Sequence, residues 1–112
     1  MPRQFLPKRF KRRADFLRLA AQGRKFVKPG FVLQALQDAP QLAVGFTATK
    51  KLGNAVIRNR TKRRLREAAR LVLAGRPAQN LELVLVGRRE TGTMDFATLR
   101  HNLAQALDEV LV

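Results

Sequence analysis

Apolar residues along this chain recur at two different periods, and the change of period marks where strands give way to helices. After Gly53 and Asn54, a turn and N-cap pair, Ile57, Thr61, Leu65, Ala68, Ala69 and Val72 keep the spacing of a core-facing helical stripe. The pattern predicts a long helix to about Ala74, stopped by Gly75, Arg76 and Pro77. Residues 14–22 predict a short helix ending at Gly23, and residues 31–36 a strand after Pro29 and Gly30. Asp38, Ala39 and Pro40 supply a turn into a second strand over residues 42–49. Residues 81–86 are apolar and β-branched on both faces, as in the middle of a covered sheet. A last helix carries Phe96, Leu99, Leu103, Leu107 and Val110 on one side. The predicted order is α-β-β-α-β-α, an α+β sandwich with helices against a small central sheet in one domain spanning residues 1–112.

Charge changes the picture at the long helix. Between Lys50 and Arg70 lie nine Lys or Arg residues and one acid, Glu67. Asn59, Lys62, Arg63, Arg66 and Arg70 fall opposite the apolar stripe, so the helix can pack on a sheet while holding guanidinium groups toward solvent. Like charges at i, i+3 and i+4 cost stability unless a polyanion neutralises them, which a merely solubilising face of mixed sign would avoid. Ten of the 23 basic residues precede Pro29 and only four lie outside these two blocks, which implies one or two binding surfaces. The Pro-punctuated basic start, through about Arg13, is expected to be loose until nucleic acid binds.

A net charge of +15 points to nucleic acid or an anionic membrane surface. The longest apolar run is too short for a bilayer, the N-terminus has no apolar signal core, and the helix's apolar face is better used as core, so no membrane role is expected. The absence of Cys excludes disulfides and thiolate metal sites and suits the cytoplasm.

The stretch Ala48-Thr49-Lys50-Lys51-Leu52-Gly53-Asn54-Ala55-Val56, followed by Arg58-Asn59-Arg60, Lys62-Arg63 and Arg66, resembles the RNR motif of the bacterial ribonuclease P protein subunit. The likeness extends to Arg9-Phe10-Lys11, Asp15-Phe16, Phe31-Val32-Leu33, Val44-Gly45-Phe46-Thr47 and Leu83-Val84-Leu85-Val86-Gly87-Arg88-Arg89. Ala20 and Gln34 depart from it, standing where many members carry aromatics. A parallel strand, helix, strand unit over residues 42–86 would by general rule be right-handed. The resemblance implies instead an unusual left-handed crossover, in a fold shared with a ribosomal-protein domain.

The resemblance implies that a catalytic RNA with magnesium ions removes the 5′ leader of precursor tRNA, and that the protein assists without catalytic residues of its own. Lys50, Lys51, Asn54, Arg58, Asn59, Arg60, Lys62, Arg63 and Arg66 would then bind the catalytic RNA, with Arg60, on the helix flank, as a possible anchor of the local fold instead. Lys11, Phe16 and Arg88 would serve the leader through charge and stacking. Phe16 suits core packing as well as stacking, and Phe31 and Phe46 suit core packing better. The protein alone is expected to be monomeric and to bind no cofactor.

No protein active site is visible. His101, the only histidine, falls on the polar side of the last helix with no partner at matching spacing, and adjacent Asp108 and Glu109 point in different directions. Gly45, Gly53 and Gly87 make no phosphate-loop spacing. The alternatives are a ribosomal or chaperone RNA-binding protein without a role in cleavage, and a membrane-active or DNA-compacting basic protein.

Overall fold

The computed structural model describes residues 8–10, 12–39, 41–75 and 80–111. Within them one mixed sheet, in the order β1-β4-β5-β3-β2, separates two layers of helix. Its strands are β1 (Lys8–Arg9), β2 (Arg24–Lys28), β3 (Phe31–Gln37), β4 (Ala43–Thr47) and β5 (Leu81–Gly87). The helices are α1 (Arg13–Gln22), α2 (Ala55–Ala74) and α3 (Phe96–Leu111), with 3-10 turns at Lys50–Leu52 and Arg89–Gly92.

β5 sits at the centre, parallel to β4 and antiparallel to β3. Alternation along it divides the core. Leu81, Leu83 and Leu85 meet Leu65, Ala68 and Val72 of α2 and Leu99, Leu103 and Leu107 of α3. Val84 turns the other way, with Ala43, Phe10 and Leu19 of α1. Both faces are therefore covered, which is why this strand carries no alternating polar residue at its middle. Each fully buried Leu contributes roughly 1.5–3 kcal/mol relative to exposure.

The parallel neighbours β4 and β5 make α2 the crossover helix. It is seated closely. A Cβ on Gly87 would run into the methyl of Thr61, whose hydroxyl donates to the Ile57 carbonyl at 2.9 Å. Asn54 caps the first turn, its Oδ1 accepting from the Ile57 N–H at 3.0 Å. Gly53 holds φ +137°, a conformation an L side chain rarely adopts, and so turns the chain from β4 into α2.

Two strands depart from the predicted order. Arg24-Lys25-Phe26-Val27-Lys28, to which the sequence assigned no element, pairs antiparallel with β3 as an edge strand. Only Phe26 packs into the core, and the flanking charges are those that keep an exposed edge from pairing further. The strand pairing also reaches back before Arg13: Lys8 and Arg9 pair with Ala43 and Val44, the Phe10 N–H donates to the Val44 carbonyl at 2.9 Å, and Phe10 is buried. The stripe on α2 is also shorter than the pattern predicts. Thr61, Leu65, Ala68, Ala69 and Val72 are buried as expected, but Ile57, in the first turn, is 46% exposed.

A candidate nucleic-acid interface

α2 presents a cationic surface because its buried stripe leaves its opposite side to solvent. Asn59, Arg63 and Arg66 are exposed and lie within about 60° of one another around the axis. Lys62 and Arg58 are half-buried on one flank, and Arg60 is exposed on the other. Lys50 and Lys51 stand exposed on the 3-10 turn before the helix, and Asn54 is exposed with its side-chain oxygen engaged by the helix end. Among the described residues, none of these cations has an acidic group within ion-pairing distance. Arg58 Nε is buried without a hydrogen-bond partner among the described residues.

Arg70 behaves differently from the residues it resembles on paper. It pairs with Glu67 one turn back, and its guanidinium hydrogen bond holds that carboxyl below its usual range. Arg64 is turned inward. Its Nε donates to the Thr91 carbonyl at 2.9 Å, a second nitrogen donates to the Met94 carbonyl, and the guanidinium lies 5.7 Å from the Phe96 ring. The anchoring role considered for Arg60 thus belongs to Arg64, and Arg60 points outward.

Phe16 occupies the other side of the sheet. It is half-buried, meets Phe10 edge to face at 6.2 Å, and lies so near β4 that a Cβ on Gly45 would stand 2.8 Å from its ring. The uncovered part of the ring lines an open cleft of about 360 Å3 with Arg13, Phe46, Thr47, Ala48 and Lys62. This cleft joins the two predicted groups of site residues, since Lys62 belongs to α2 and Phe16 to α1. Arg13, at the first turn of α1, was not singled out from the sequence; only its place in the N-terminal basic block could have marked it. Phe31 is fully buried and belongs to the core, whereas Phe46 is half-buried. Arg88 is exposed just past β5, away from Phe16's cleft, and lines a groove on the far flank of α2. Lys11 lies outside the described residues.

The remaining polar groups are structural or exposed. Arg18 bridges Glu82 and Asp15, bonds that raise its pKa, and stacks 5.9 Å from Phe10. His101 is exposed on α3, and Glu109 pairs with Lys28. No group of three His, Asp or Glu among the described residues converges to hold a metal ion, and no helix there is long and apolar enough to cross a membrane.

A five-stranded mixed sheet with one helix on one face and two on the other, carrying an outward cationic helix beside an aromatic-floored cleft, defines a small α+β RNA-binding domain. The family model for ribonuclease P matches residues 6–111. The ribonuclease P protein component of Gluconacetobacter diazotrophicus is 52% identical over 101 residues, covering 88% of this chain and 87% of that protein. That of Symbiobacterium thermophilum is 40% identical, covering 89% and 88%. Among solved structures, the ribonuclease P protein of Thermotoga maritima superposes with a TM-score of 0.77 at 27% identity over 91% of this chain and 96% of that one. That of Staphylococcus aureus gives 0.75 at 26% over 91% and 94%. The chain belongs to the ribonuclease P protein family.

Proposed function

We propose that this chain is the subunit that holds the catalytic RNA of ribonuclease P on the outward face of α2 and guides the 5′ leader of precursor tRNA through the adjoining cleft. The continuity of the two surfaces supports this reading: cations on α2 with no acidic partner among the described residues run through Lys62 into the cleft floored by Phe16. Arg58, Arg60, Lys62, Arg63 and Arg66, with Lys50 and Lys51, bind RNA phosphates, which fixes position without reading sequence. Asn59 adds a side chain able to donate and accept.

In the cleft, the exposed part of the Phe16 ring stacks on an unpaired base while Arg13 and Lys62 meet the backbone, an arrangement that tolerates any leader sequence. One stacked base contributes roughly 1–3 kcal/mol. Arg88 lies outside this cleft and has a weaker claim on the leader. Hydrolysis of the phosphodiester belongs to the RNA subunit with its magnesium ions. The described residues offer no carboxylate cluster that would hold such an ion, and the part given to this protein is binding and positioning. The work is done in the cytoplasm by a protein that is monomeric until it meets its RNA.

The test is discrimination between precursor and mature tRNA by the reconstituted enzyme. Phe16→Ala is expected to lower the preference for precursor by about tenfold while leaving the affinity for mature tRNA unchanged, the scale of one lost stacking contact. Phe16→Tyr retains the ring and is expected to retain the preference. Equal preference in the alanine variant and the parent would remove the leader from this cleft.

A further inference from the structure

The groove on the opposite flank of α2 has a composition the phosphate-binding face lacks. Leu52, Ile57, Arg60, Arg88 and Arg89 enclose about 370 Å3 between the start of α2 and the two 3-10 turns, more closed than the Phe16 cleft. Ile57 is 46% exposed within it, although the helical stripe would bury it. The Ile57 side chain closes over Gly53, where a Cβ would stand 2.8 Å from its terminal methyl. None of the three arginines has an acidic group within ion-pairing distance among the described residues.

The far wall is fixed in place. The turn Arg89–Gly92 is held by the Thr91 hydroxyl, which donates to the Gly30 carbonyl and accepts from the Arg88 N–H at 2.9 Å, and by the two bonds from Arg64. Thr91 is fully buried. An apolar floor of this size between rigid walls, rimmed by guanidinium groups, has room for one planar base, with its phosphates within reach of the rim. A bare phosphate surface would leave Leu52 and Ile57 with no role in binding.

Resting on the ribonuclease P reading above, we infer that this groove receives a single unpaired nucleotide of the RNA partner, its base against Leu52 and Ile57 and its phosphates on Arg60, Arg88 and Arg89. The site makes α2 a two-sided clamp, with a phosphate face in the middle and a base pocket on the flank away from the leader. Assembly then depends on an extruded nucleotide at one position of the RNA as well as on charge.

Ile57 is the only isoleucine in the chain, so its δ1 methyl gives one assignable NMR signal in an otherwise deuterated protein. In the complex with a bacterial ribonuclease P RNA, that methyl is expected to show cross-peaks to base protons of one nucleotide. Ile57→Ala keeps a good helix former and is expected to weaken assembly about three- to tenfold with the salt slope unchanged. Arg89→Ala is expected to lower that slope by about 1. Absence of base cross-peaks, or parental affinity in Ile57→Ala, overturns the inference while leaving the ribonuclease P reading intact. Failure of the parent chain to assemble with the RNA overturns both.

Discussion

Arg63 and Arg64 are sequence neighbours with the same charge and opposite work. One turns to solvent, and the other ties α2 to the turn before α3 through two carbonyls and a ring. Composition could not separate them, because the difference arises from 100° of helical rotation and from where Thr91 and Met94 happen to lie. Arg63→Ala is expected to weaken assembly with the catalytic RNA and to reduce the salt slope by about 1, with stability unchanged within about 0.5 kcal/mol. Arg64→Met should do the reverse, costing about 1–2 kcal/mol in a urea titration because two part-buried carbonyls lose their charged donor, while the salt slope stays put. A stability loss in the first variant, or none in the second, would exchange their roles. Phe16 illustrates a different limit: the sequence offered core or stacking platform, and the ring is divided, one part packed against Phe10 and Gly45 and the rest lining the cleft.

At the scale of elements, legibility followed the strength of the periodic signal. α2, α3, β3 and β5 were readable because each repeats its apolar spacing long enough to outweigh local accidents. β2 was not, since one inward Phe among charged residues is the pattern of a loop as much as of an edge strand. β1 spans only two residues and exists by pairing with β4, which no local signal announces. The cationic face of α2 was legible as an outward charged surface for the same reason as the helix itself. The flank groove was not, because it needs the turn at Arg89–Gly92, brought up by the sheet from some thirty residues away. The start of α2 rests on one cap, so Asn54→Ala should cost about 1 kcal/mol and fray the first turn, read as faster amide exchange at Ile57 and Arg58. Unchanged exchange there would mean that the contacts of Gly53 and Ile57 hold the turn by themselves.

Across the whole molecule, a charge of +15 on 112 residues is a standing repulsion that the fold tolerates and a polyanion relieves. The ion pairs described, Arg18 with Glu82 and Asp15, Lys28 with Glu109 and Arg70 with Glu67, engage their acids with cations outside the proposed RNA-binding set. The free protein should therefore gain stability with salt. Raising sodium chloride from about 0.05 to 0.5 M shortens the Debye length from roughly 14 to 4 Å, and an increase of several degrees in Tm is expected. A Tm that falls with salt would mean that the retained ion pairs outweigh the repulsion. The same charge explains why generic RNA affinity is a poor criterion of function, since any protein of this charge would share it.

Service to a particular RNA enzyme is tested by 5′ processing of a precursor tRNA at low magnesium. A bacterial ribonuclease P RNA would be assayed alone, with this protein, and with an unrelated basic protein of equal charge. Cleavage at the mature 5′ end is expected to rise with this chain and not with the control. Equal stimulation by both proteins would reduce its part to charge screening, and cleavage without any RNA component would place an active site in the protein.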